Sequence, residues 1–389
     1  MTYGGTCATY VSELPYHRAE LEHRRMPPVI GRDELIRRVG RAGTPDAMFS
    51  TLAAQLRRVV PYDAAVWRAT DPETGMMTSP ILAENIEERS CAVYWRYELF
   101  AERINLFRDL VQAPDPVAGL WESTDGHPDR SPLYTGFLAP RGVHDELRAV
   151  LRVDGRPHGY VSLFRLNGRN AFGTGERRFV QDLATPVART LRSYAKQGPE
   201  PTTGGGPLGT GLLLFDADGS LISVNDDARH YLDEMPDGPT IPTALGIPVP
   251  LWVHGTAMRA RAIAEERESG TARIRLRSRT GRWLVCHATC LRGADGSLGP
   301  AAVVVERAPV SEVTPLIVQA YELSRRELEV TRCVARGLST GRIAEELHLS
   351  PHTVRDHIKA VFEKLGVSSR GELVGKLFTE YHDSLGAAG

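Results

Sequence analysis

Arg355 and Lys359 stand one helical turn apart in the stretch LSPHTVRDHIKAVFEKLG, residues 349–366. Two cations so spaced on one helix face can both reach base edges in a major groove, where arginine to guanine is the commonest contact. Asp356 lies between them. A carboxylate there can accept from a cytosine N4 amine. Alternatively it orients Arg355 or Lys359 and penalises wrong sites by repelling phosphate. The plainer alternative is an amphipathic helix whose charged side is only solvated.

Four helices are expected to position these side chains. Ser324 and Glu327 form a Ser-x-x-Glu capping box for the first, which stops at Gly337. Ser339 caps a short second helix with Ile343, Ala344 and Leu347 inward. After the tight connection HLS, Ser350 caps the third and Pro351 takes its first position, where a missing N–H costs nothing. Val354, Ile358, Val361, Phe362 and Leu365 give that helix a buried stripe, and Gly366 ends it. Ser369 and Glu372 open a fourth helix carrying Leu373, Val374, Leu377 and Phe378. Two short helices, a brief turn and a longer second helix with a polar outer face make a helix-turn-helix plan. Thr353, Arg355, Asp356, Lys359 and Glu363 gather on that polar face, and His357 is expected to pack inside.

The stretch 323–374, with SRRELEV, ARGLS, IAEEL, LSPHTV, His357, KLGV and SRGEL at fixed spacings, resembles the LuxR-type helix-turn-helix family. The resemblance covers about the last fifth of the chain. It implies that the third helix enters the major groove and that Arg355, Asp356 and Lys359 contact bases. It further implies phosphate contacts from Ser339, Ser350, Thr353 and Lys364, and dimerisation through Leu373, Val374, Leu377 and Phe378. Departures are Thr331, where Leu is common, and Thr340-Gly341 in place of a frequent Asn-Lys pair, which removes a positive charge.

Length and composition constrain the rest. A chain of 389 residues implies two or three domains. Net charge −1 gives no global pull toward nucleic acid, so DNA contact must come from local placement of charge. Five scattered cysteines argue against a disulfide framework, no apolar run is long enough to span a membrane, and no secretory signal is evident. A cytoplasmic protein is expected.

Domain limits follow from composition and pattern. An arm is expected at 1–30 and an α+β domain with an antiparallel sheet at 31–195. The Pro/Gly/Thr-rich segment at 196–210 reads as a linker, and a second α+β domain follows at 211–308. A connector is expected at 309–320 and the all-α four-helix module at 321–389. Thr44 and Pro45 begin a helix over 44–60, strands and a helical, aromatic segment follow, and 113–143 reads as irregular. Asp154-Gly155 marks a hairpin, and 173–195 is an amphipathic helix. By its order of elements 31–195 resembles a GAF domain. LLLFDADGSLISVNDDA and TGRWLVCHATCL make 208–308 similar to a PAS domain. These resemblances imply a sensory or dimerising front end and leave a small-molecule effector open, with no cofactor identified.

Other chemistries find little support. The glycines at 204–206 lack the Gly-Lys-Ser/Thr ending of a P-loop. Cys286 and Cys290 on one strand are about 13 Å apart, too far to share a zinc. Neither a receiver domain nor an acyl-homoserine-lactone sensor is matched, and no catalytic residues are found. The expected function is sequence-specific DNA binding and transcription regulation by a homodimer on double-stranded DNA, under sensor control, with contact to the transcription machinery left open and no membrane partner. The competing reading is a signalling or protein–protein adaptor with a vestigial helix-turn-helix.

Overall fold

The computed structural model describes residues 31–196 and 209–381. The expected arm at 1–30 and most of the expected linker lie outside the described residues.

The first unit is built on one antiparallel sheet. α1 (Arg32–Gly40) and α2 (Pro45–Val59) come first, and Thr44 caps α2 by accepting from the Ala47 N–H at 3.2 Å. β1 (Ala64–Thr70) and β2 (Met77–Glu84) follow, then α3 (Glu88–Phe100) and α4 (Phe107–Gln112). The stretch expected to be irregular holds β3 (Val117–Gly119), the four-residue α5 (Leu120–Ser123) and short 3-10 and π turns. β4 (Val143–Val153) and β5 (Arg156–Leu166) form the hairpin, turning through Asp154 and Gly155 at φ 53° and 72°. α6 (Thr174–Ser193) closes the unit. The strand order is β2-β1-β5-β4-β3, so β3 supplies an edge that its polar, Pro-rich surroundings conceal in the sequence. Every residue of β1 is buried, because helices cover both faces of the sheet. Leu52 and Leu56 of α2 and Val180, Leu183 and Val187 of α6 pack on one face with Trp67. Tyr94, Trp95, Phe107 and Phe137 pack on the other with Phe164, as core side chains.

The second unit has β6 (Gly211–Phe215), β7 (Leu221–Val224), α7 (Asp226–Glu234), β8 (Thr240–Ile241), β9 (Val249–Pro250) and α8 (Leu251–Ala264). β10 (Ala272–Arg277), β11 (Trp283–Arg292) and β12 (Leu298–Arg307) complete a sheet of order β10-β11-β12-β6-β7. Cys286 is buried in it, and burial pushes its thiol up to about 12, so it is an inert core residue.

The two units share one apolar core across α3 and α8. Gly255 of α8 permits the approach, since a Cβ there would stand 2.7 Å from the Met77 methyl. Beside this core the β10 edge receives the turn after β1. The Asp71 carboxylate accepts two bonds of 2.7 Å from the Arg275 guanidinium and one of 3.0 Å from the Arg275 N–H. Both side chains are 0% exposed.

Residues 309–320, expected only to connect, form a helix, α9 (Val310–Ala320). Pro315 within it hides it from a pattern reading, and tertiary contact supplies what propensity does not. Val313 and Ile317 pack on Val285 and Ala308 of the second unit and, on the other side, into the C-terminal core. That module is α10 (Arg325–Ala335), α11 (Thr340–Leu347), α12 (Pro351–Leu365) and α13 (Arg370–Tyr381), as expected.

Candidate nucleic-acid interface

The module is a small core with a charged surface. Val330, Val334, Ile343, Val354, Ile358 and Val361 are buried together, each contributing about 1.5–3 kcal/mol by transfer from water. Ser324 accepts from the Glu327 N–H at 3.2 Å while Glu327 accepts from the Ser324 N–H at 2.6 Å, closing the capping box. Thr331, in place of the usual Leu, is buried and donates to the Glu327 carbonyl at 2.7 Å. Thr340 accepts from Arg370 at 2.7 Å, so the residue that replaces an asparagine fastens α11 to α13.

Between α11 and α12 the chain reverses at His348, whose φ of 53° is left-handed. Ser350 then caps α12, accepting from the Thr353 N–H at 3.1 Å and pairing with the Thr353 hydroxyl at 2.8 Å. With Val354, Ile358, Val361 and Leu365 buried, α12 turns Arg355, Asp356, Lys359 and Glu363 to solvent. His357 is half-buried at the margin.

The charges on this face are arranged differently from either reading of Asp356 as a guide for its cationic neighbours. Arg355 donates its Nε to the Pro351 carbonyl at 3.2 Å, and Lys359 lies 4.0 Å from Glu363. Asp356 is paired with neither; its Oδ2 is 3.0 Å from Nδ1 of His352. A carboxylate at i+4 is within reach of His352, whereas Arg355, its chain neighbour, points to another side of the helix. His352 is a member of this surface that the sequence reading missed, although its i, i+4 spacing to Asp356 was visible.

The remaining expected site residues divide. Ser339 and Ser350 are exposed helix caps, and Ser339 accepts from the Arg342 N–H at 3.4 Å. Lys364 is engaged within the module: its ammonium donates to Glu327 at 2.7 Å and to the Glu322 carbonyl at 2.8 Å. Burial pushes the Glu327 carboxyl up, but the bonds from Lys364 and Ser324 outweigh it and hold the carboxyl below its ordinary value. Leu373 is 0% exposed in the module's own core and offers no contact surface, while Val374 is half-buried. The side chains of Leu377 and Phe378 lie outside the described residues. Among the described residues no three His, Cys, Asp or Glu side chains can hold a metal, and no helix is long and apolar enough to cross a membrane.

The module is thus a capped pair of helices over one core, the second presenting Arg355 and Lys359 to solvent. Residues 321–377 match the luxR family of bacterial regulatory proteins. This luxR-type module is similar to the probable transcriptional regulatory protein NarL of Mycobacterium tuberculosis, 46% identical over 54 residues, 14% of this chain and 25% of that protein. It is similar also to the transcriptional regulatory protein UhpA of Escherichia coli, 45% identical over 56 residues, 14% of this chain and 29% of that protein. The chain thus spans under a third of the length of these relatives. Among solved structures, Escherichia coli SdiA aligns with 90% of this chain and 96% of its own, at 13% identity and a TM-score of 0.32.

Proposed function

We propose that the protein is a sequence-specific, DNA-binding transcriptional regulator without enzymatic activity, acting in the cytoplasm as a homodimer. The observation that carries this is the luxR-type module with a solvent-facing α12 that presents Arg355 and Lys359 one turn apart. In this reading α12 enters the major groove, Arg355 and Lys359 donate to base edges and Asp356 accepts from a cytosine amine. Ser339, Ser350 and Thr353 line the approach to phosphate, and Lys364 joins them once free of Glu327. Val374 and the helix that carries it contribute to pairing of two modules.

The first unit we read as GAF-like and the second as PAS-like. Helices on both faces of a five-stranded antiparallel sheet support the first, and a second five-stranded sheet with α7 and α8 on one side supports the other. Their state would set how two modules are placed on half-sites about one DNA turn apart.

Selection of binding sites from random duplexes by the full-length protein tests the proposal. A single consensus, with affinity falling steeply between about 50 and about 200 mM salt, is the expected result. An adaptor with a vestigial helix-turn-helix would enrich no consensus, and that outcome defeats the proposal.

A further inference from the structure

His352, Asp356, Lys359 and Glu363 follow one another at intervals of four, three and four residues, so they lie along a single stripe on the solvent side of α12. The stripe is joined at its two ends. Nδ1 of His352 is 3.0 Å from Oδ2 of Asp356, and the Lys359 ammonium is 4.0 Å from Glu363. The middle step is open: Asp356 and Lys359, opposite in charge and three residues apart, each turn to the outer neighbour instead. Arg355 stands off the stripe and donates its Nε to the Pro351 carbonyl at 3.2 Å.

A carboxylate only accepts, so the contact places a proton on Nδ1 of His352. It engages one oxygen of Asp356 and leaves Oδ1 for an amine in the groove. Without His352, the nearest donor on the stripe is Lys359, at an i, i+3 spacing that favours pairing. Asp356 and Lys359 joined to each other would offer the groove neither an acceptor nor a free cation. Their side chains are 66% and 79% exposed, so they can exchange partners without disturbing the core. Pairs at such exposure are individually weak, and one imidazole is therefore enough to tip the choice.

We infer that His352 is a positioning residue for base reading. It holds the Asp356 carboxylate off Lys359, so that α12 presents an acceptor for a cytosine amine beside a separate cationic donor for guanine. The inference rests on the proposed DNA binding for its consequence, but the pairing itself can be measured without DNA.

Magnetic resonance of the full-length protein with isotope-labelled histidine, in mildly alkaline buffer, should show the His352 proton on Nδ1. In Asp356→Ala it should move to Nε2, the nitrogen a free imidazole prefers to protonate. A wild-type His352 protonated on Nε2 would overturn the pairing. Binding-site selection and affinity then compare wild type with His352→Ala and His352→Gln, each with and without Lys359→Met. His352→Ala should lower discrimination at the base read by Asp356 by about twofold or more, the scale of one i, i+4 pair. In that background Lys359→Met should cost less affinity than it does in wild type. His352→Gln should preserve both values, because a glutamine amide four residues before an aspartate also donates to it. Unchanged discrimination in His352→Ala, or equal losses in the Ala and Gln variants, would overturn the positioning role. If the wild-type protein selects no consensus, the proposed function fails and this role with it, while the resonances still decide whether the pair forms.

Discussion

Nδ1 of His352 and Oδ2 of Asp356 lie 3.0 Å apart, one turn from each other on the exposed side of α12. Asp356 is therefore paired with a neighbour on the same exposed face, and with neither Arg355 nor Lys359. Asp356→Ala should tighten nonspecific binding by removing a negative charge that repels phosphate. It should also blur preference at one base position, by about 1–3 kcal/mol of discrimination. His352→Ala should blur the same position less. Site selection with both variants checks this, and an unaltered preference in Asp356→Ala would reduce the aspartate to solvated surface.

Glu327 joins two functions at the start of α10, capping the Ser324 N–H at 2.6 Å and receiving Lys364 at 2.7 Å. Glu327→Ala should lower the stability of the module by about 1–3 kcal/mol, the usual range for a lost cap with a charged hydrogen bond. Denaturant unfolding followed by a probe in the module measures the loss. A change below a few tenths of a kcal/mol would contradict the bond pattern.

Asp71 and Arg275 present a different balance, because neither reaches water. Asp71→Ala leaves the buried guanidinium with only Glu73 at 3.1 Å and the Glu312 carbonyl at 2.9 Å, and should cost up to about 3–5 kcal/mol, whereas Asp71→Ala combined with Arg275→Met should recover much of it. Melting of the three proteins tests the ordering. Equal destabilisation by the single and double variants would show that packing alone sets the cost.

Acid sensitivity follows from two histidines. Burial, with Arg192 and Arg156 adding to it, lowers His158 to about 4. Burial, with Arg96 adding to it, likewise lowers His254 to about 4. Both are neutral in the fold, and the unfolded chain takes up protons first, near pH 6.5. Stability should be level above about pH 6.5 and fall as pH drops toward about 4, by up to roughly 3 kcal/mol for each histidine. Burial raises the carboxyls of Glu98 and Asp145, which offsets part of this fall. Unfolding at pH 7 and pH 5 reads the slope, and His158→Gln should flatten it if that histidine contributes.

α12 was legible because its signals are local. Ser350, Pro351, the Val354–Ile358–Val361 spacing and Gly366 are all within seventeen residues and needed no partner from elsewhere. α9 was not legible: its Pro315 weakens the local pattern, and its stability comes from Val285 and Ala308 on another element. The partners of Lys364 were equally hidden, since Glu322 lies 42 residues away and a lysine near a helix end reads as free to meet phosphate. Asp71 and Arg275, 204 residues apart, carry no mutual signal in sequence at all.

The same buried pair bears on how the chain can be divided. Composition invites a cut in the Gly- and Pro-rich stretch at 197–208, between two sheets that each look complete. A front fragment made there would expose Asp71 and the β2 edge, and a rear fragment would expose Arg275 together with the α8 surface that faces Met77 and Trp95. Either half alone would leave part of the shared core uncovered. The stretch that composition reads as a linker joins two units that share one core, and α9 shares a further core with the C-terminal module.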